Sequence, residues 1–81
     1  MTDPDIFERI NALSAEEERL FEAAGDGSGL SADDVDRLAA IKVELDRAYD
    51  LLHQREARRA AGLDPSGAEE RPAETVESYQ Q

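Results

Sequence analysis

The stretch LAAIKVELDRAYDLLHQREARR, residues 38–59, decides the fold. It is the longest run with helical apolar spacing and no helix breaker. Val35, Leu38, Ile41, Leu45, Ala48 and Leu52 recur every three or four residues, which lays one apolar stripe along a helix, with Tyr49 on its flank. Ser31, with Asp34 three residues on, predicts a capping box at the start, and Leu30 with Val35 a hydrophobic staple. Gly62 suits the first position beyond the helix, with Leu63 as its apolar follower and Asp64-Pro65 as a stop. The helix is expected over about 31–61.

Upstream, Ile6, Ile10, Leu13, Glu17, Leu20 and Ala24 form a matching stripe, interrupted only by the carboxylate of Glu17. Thr2 or Asp3 can cap this helix, and Pro4 suits its first turn because the missing N–H has no intrahelical partner there. It is expected over about 3–24. Between the two, GDGSGL at 25–30 is a glycine-rich turn. It lacks the lysine, the Ser or Thr and the preceding strand of a phosphate loop. A short turn makes the helices antiparallel. The fold class is therefore all-α: an antiparallel helical hairpin with a longer second helix, a coiled-coil-like seam, and an extended or partly helical tail over 63–81.

A register that places Ile6 opposite Leu52, Ile10 opposite Ala48 and Leu13 opposite Leu45 also sets Asp3 opposite Arg55. It brings Glu17 beside Lys42. Leu13 and Leu45 fall at the middle of this seam. Phe7, Phe21, Val35 and Tyr49 lie beside it, half exposed in a single hairpin. The simplest cover is a second copy, giving a four-helix homodimer. The competing cover is the chain's own tail.

The tail holds five acids against Arg71 alone, together with Pro65, Gly67 and Pro72. That is the composition of a flexible segment. Val76 and Tyr79 can anchor one helical turn begun by Pro72, and Val43 and Leu51, away from the seam, can receive it.

The second helix changes sign along its length. Residues 31–52 carry six acids against Arg37, Lys42 and Arg47, whereas 53–61 carry Arg55, Arg58 and Arg59 against Glu56. The ordinary account is compensation of the helix dipole. The functional one is a basic helix end that docks an acidic partner, an RNA backbone or the tail. The candidate partner-binding residues are accordingly Arg55, Arg58, Arg59, Tyr49, Val76 and Tyr79.

Composition narrows the function. The 81 residues include no cysteine, so disulfides, thiolate metal sites and cysteine nucleophiles are excluded. Twenty acids against nine bases give a net charge of −11, which argues against general binding to nucleic acid. No apolar run approaches a membrane span, and the acidic N-terminus lacks the pattern of a signal peptide, so a cytoplasmic protein without a membrane partner is expected. Asp50 and His53 share the i, i+3 spacing of di-metal bundles, but with one histidine per chain no metal or other cofactor is expected.

The segment IKVELDRAYDLLHQREARRAAGLDP at 41–65, RPAETVESY at 71–79 and the opening DIFERINAL together resemble a family of short actinobacterial proteins, domain of unknown function 2630. The core of the likeness is Leu45, Asp46, Tyr49, Asp50, Leu51, Leu52, Gln54 and Arg55. Tyr49 stands where that family commonly has Trp, and His53 where it has a basic residue. The resemblance implies the same architecture and no activity. The function expected is a non-enzymatic helical interaction or adaptor protein of unidentified partner, self-associating. The alternative is a ribosome- or polymerase-associated nucleic-acid factor that uses the basic helix end.

Overall fold

A computed structural model describes residues 2–25 and 29–78. Three α-helices and one short 3-10 turn make up its regular structure. Helix α1 spans Asp3–Ala24, α2 spans Ala32–Ala60, the 3-10 turn spans Pro65–Gly67 and α3 spans Ala73–Ser78. Of the glycine-rich turn, residues 26–28 lie outside the described set, as does Tyr79.

Both long helices begin as their sequences dictate. Thr2 accepts from the Asp5 amide, and Asp5 answers the Thr2 backbone N–H, a reciprocal capping box; Ser31 and Asp34 repeat it on α2. Helix α2 ends on a left-handed glycine. Gly62 has φ +77°, the Leu63 N–H reaches the Arg58 carbonyl at 2.8 Å and the Gly62 N–H reaches that of Arg59 at 3.1 Å. These bonds satisfy carbonyls that the helix end would otherwise leave open.

Helix α2 is the central element: α1, the 3-10 turn and α3 all pack on it. Ile6, Ile10, Ala48, Leu51 and Leu52 form the buried cluster, with Leu45 and Ala68 against it. Ile6, Ile41 and Ala48 have no exposed surface. Arg55 against Asp3 agrees with the expected antiparallel register at one end.

Two details of the expected seam differ. Leu45 is only partly buried, whereas Leu51, read as facing away, is 5% exposed. The buried face of α2 is rotated toward Leu51 because the tail covers that side and brings Ala68 onto the cluster. Lys42 pairs with Asp46 at 3.5 Å and with Glu77 at 3.6 Å instead of with Glu17. An i, i+4 partner and a tail carboxylate lie nearer to it than α1 does.

The tail is docked. It runs back along α2 in the direction of α1: Asp64 lies by Arg58, Glu69 by Gln54, Arg71 by Asp50 and Glu77 by Lys42. Pro72 opens α3, its carbonyl accepting from Thr75 at 3.0 Å and Val76 at 3.2 Å. Val76 is 2% exposed. Composition alone points to a loose tail. Val76 and a set of specific polar contacts outweigh it.

Candidate functional site

Two surfaces emerge, on opposite flanks of the hairpin. Successive residues on a helix turn by about 100°, so the residue before a seam position and the residue after it fall on opposite flanks. On one flank Arg9 of α1 bonds Glu44 of α2, and Arg37 of α2 bonds Glu16 of α1 through two nitrogens, one of them at 2.6 Å. The arginine hydrogen bonds hold the Glu16 carboxyl below the usual carboxylate range. Phe7, which follows Ile6, and Tyr49, which follows Ala48, belong to the other flank.

That other flank is open. Phe7, Phe21, Val35 and Tyr49 are each about half exposed. On α1 the run Phe7, Ser14, Phe21 has heptad spacing, and on α2 so does Val35, Lys42, Tyr49. In the antiparallel register Phe7 matches Tyr49, Ser14 matches Lys42 and Phe21 matches Val35. Two apolar pairs thus stand at the ends of the flank, roughly 21 Å apart at 1.5 Å per residue, with a polar pair midway. The described part of the tail reaches this flank only where Glu77 meets Lys42 and leaves the two apolar pairs about half exposed.

The paired flank continues into a closed ring of charge. Arg9 contacts Glu44 and Glu70; Arg47 contacts the same two carboxylates at 3.5 and 3.6 Å. Four side chains from α1, α2 and the tail are tied together in this way. Next to the ring, Asp50 takes Arg71 through both carboxylate oxygens, Nε to Oδ2 at 2.8 Å, and accepts from Gln54 at 3.0 Å. The Arg71 hydrogen bond holds the Asp50 carboxyl below its usual range, against the opposing effect of burial. Asp50 is therefore occupied by Arg71 and Gln54, and no group of three or more metal-ligating side chains gathers among the described residues.

The basic end of α2 is folded inward. Arg55 is 9% exposed; it bonds Asp3 and donates to the Pro65 carbonyl at 3.2 Å. Arg59 donates to the same Asp3 at 2.6 Å, and Arg58 to the Asp64 carbonyl at 2.7 Å. Hydrogen bonds from Arg55 and then Arg59 hold the Asp3 carboxyl below the usual range. Of the six candidate partner-binding residues, Arg55, Arg58 and Val76 gather in the tail contact and Arg59 adjoins it at Asp3. Tyr49 stands on the open flank, and Tyr79 lies outside the described residues. Phe7, Phe21 and Val35, expected beside the seam under a second copy, are not among those six candidates and join Tyr49 on the open flank. The sequence reading passed over Arg9, Arg47, Glu70 and Arg71, which meet only once the tail has folded back.

This is an all-α hairpin braced by a folded-back C-terminal strap. The chain belongs to the family described as protein of unknown function DUF2630, which matches residues 2–81. It is similar to an uncharacterized protein of Mycobacterium bovis, 40% identical over 78 residues, covering 96% of this chain and 90% of the relative. It is similar to the same extent to uncharacterized proteins of two Mycobacterium tuberculosis strains. No solved structure matches. Among the described residues, no helix is long and apolar enough to cross a membrane.

Proposed function

We propose that the protein is a non-catalytic helical interaction module of the cytoplasm that self-associates through its open flank. The observation that carries this reading is the exposure of Phe7, Phe21, Val35 and Tyr49 on one side, which the described part of the tail touches only where Glu77 meets Lys42. Soluble chains rarely expose large apolar side chains at regular helical spacing without an occupant for them. The two end pairs, Phe7 with Tyr49 and Phe21 with Val35, are balanced about Ser14 and Lys42. A two-fold axis through that midpoint sets apolar pair on apolar pair, the isologous arrangement of a homodimer. Two hairpins joined this way make a four-helix bundle. The dimer then serves as an adaptor that presents its outer faces to a further protein.

The nucleic-acid alternative is less well supported. Arg55, Arg58 and Arg59 contact Asp3 and tail carbonyls, and the chain around them carries a net charge of −11.

Cysteine scanning tests the proposal, since the natural chain has no cysteine. Ser14→Cys, at the middle of the open flank, should form an intermolecular disulfide under mild oxidation much faster than Arg19→Cys on the exposed outer face. Adding Phe21→Glu should slow it. Equal rates at the two positions would contradict the open flank as the interface.

A further inference from the structure

Apart from the open flank, α2 carries a second surface, the one the tail occupies. Four α2 side chains there donate to main-chain carbonyls of the tail. Arg58 reaches Asp64 at 2.7 Å and Arg55 reaches Pro65 at 3.2 Å. Gln54 reaches Glu69 at 2.8 Å and Arg47 reaches Arg71 at 3.0 Å. The Asp64 and Pro65 carbonyls also accept from the Gly67 and Ala68 amides of the 3-10 turn, at 3.1 and 3.0 Å, whereas those of Glu69 and Arg71 lie between that turn and α3. The Arg58 guanidinium also lies against Gly67, where a β-carbon would stand. Contacts of this kind recognise main chain and ignore most side-chain identities.

Only a few tail side chains are read. Glu70 enters the ring with Arg9 and Arg47, Arg71 bonds Asp50, and Glu77 faces Lys42. Ala68 and Val76 supply the apolar contact. In a strongly acidic protein this strip is slightly basic: Arg9, Lys42, Arg47, Arg55 and Arg58 outnumber Asp3, Glu44, Asp46 and Asp50. We infer that this face of α2 is a peptide-binding cradle for an acidic segment bearing one arginine and a following aliphatic anchor on a short helical turn, and that the tail is its resident, displaceable occupant.

The tail suits that role because it is held by many weak contacts. The partly exposed pairs of Glu70 and Glu77 each contribute about 0–1 kcal/mol, and among the described residues of the tail Val76 is the one large apolar side chain that is buried. Segments held this way open at low cost while the rest of the fold stays intact. A partner segment of the same chemistry competes with the tethered tail, whose effective concentration is on the order of millimolar. The Arg71–Asp50 contact gives the cradle its selection for an arginine, because a planar guanidinium fits a carboxylate through two parallel bonds.

The test uses the full chain and a fluorescent peptide of residues 68–81 as the probe, read by anisotropy. Arg71→Asp in the protein sets its own tail against Asp50 and vacates the cradle. The natural peptide should bind this variant at least tenfold more tightly than it binds the unaltered chain, and an Arg71→Asp peptide should bind neither. Adding Asp50→Arg to the variant restores the tail contact in reverse and should abolish binding of the natural peptide. Arg71→Gln, a milder change, should show the same direction as Arg71→Asp and keeps the test decisive if the reversal unfolds the chain. Equal binding to the unaltered chain and to both single variants, or binding to neither variant, would overturn the cradle and leave the tail as packing alone.

Discussion

Asp3 and Arg55 stand fifty-two positions apart in the sequence and in contact in the fold. The same arginine donates to the Pro65 carbonyl, so one guanidinium joins the start of α1, the last third of α2 and the root of the tail. Arg59, a helical turn further on, adds its own bond to Asp3 from a much more exposed position. Arg55→Ala should therefore cost about 2 kcal/mol, since it removes a largely buried guanidinium together with its bonds to Asp3 and Pro65. Arg59→Ala should cost less than about 0.5 kcal/mol. Urea melts of the two variants measure the difference, and equal losses would mean that Arg55 is not the joint.

The core prediction follows burial rather than the centre of the stripe. Ile41 and Ile6 are fully buried, whereas Leu45 is only partly so and Val35 is half exposed. Ile41→Ala or Ile6→Ala should cost about 2–5 kcal/mol. That is enough to remove most cooperative unfolding from a chain this small. Leu45→Ala should cost less than either, and Val35→Ala less than about 0.5 kcal/mol in the monomer. Thermal melts by circular dichroism at low protein concentration give the ranking.

Acid should loosen the tail by a predictable route. Arg71 depresses the Asp50 carboxyl in the folded chain. A group whose folded pKa lies below its unfolded value contributes stability above the unfolded value, near 4, and loses it as pH falls through the folded one. Acid also relieves the repulsion of the −11 net charge, so total stability is a poor readout. The informative quantity is the difference between the natural chain and Asp50→Asn. It should be present at neutral pH and shrink as pH falls below the ordinary carboxylate range, with amide exchange at Thr75 and Val76 showing the same trend. A difference that persists in strong acid would sever Asp50 from the latch.

The end of α2 offers a backbone test. Gly62 sits at φ +77°, a conformation that costs an ordinary L-residue about 1–2 kcal/mol, with no atom near enough to clash with a new side chain. Gly62→Ala should destabilise by about 1 kcal/mol. Gly25→Ala, at φ −71°, should be neutral or slightly stabilising. Comparable losses at both glycines would show that side-chain space, not the left-handed backbone, sets the cost.

The hairpin is legible because its signals are local. Capping pairs at Thr2–Asp5 and Ser31–Asp34, the glycine at 62 and two stripes of equal period are all written within a few residues of where they act. The Asp3–Arg55 contact follows from that register. Much of the tail is not legible in the same way. Arg71 meets Asp50, and Glu70 meets Arg9 and Arg47, only after the chain reverses at Gly62, and no periodicity links those positions beforehand. The basic end of α2 reads as a protruding patch for the same reason. Nothing near Arg58 in the sequence announces that the Asp64 and Pro65 carbonyls will turn back toward it and its neighbour Arg55.

Mass by light scattering, followed over concentration and salt, tests self-association most directly. Apolar pairing of two chains that each carry −11 should strengthen as salt screens their repulsion, because the screening length falls from about 10 Å at 0.1 M to 3 Å at 1 M. The account predicts twice the chain mass at micromolar concentration, held or raised in 1 M salt, and a fall toward one chain mass for Phe21→Glu. A folded protein of one chain mass at every concentration and salt level would contradict it.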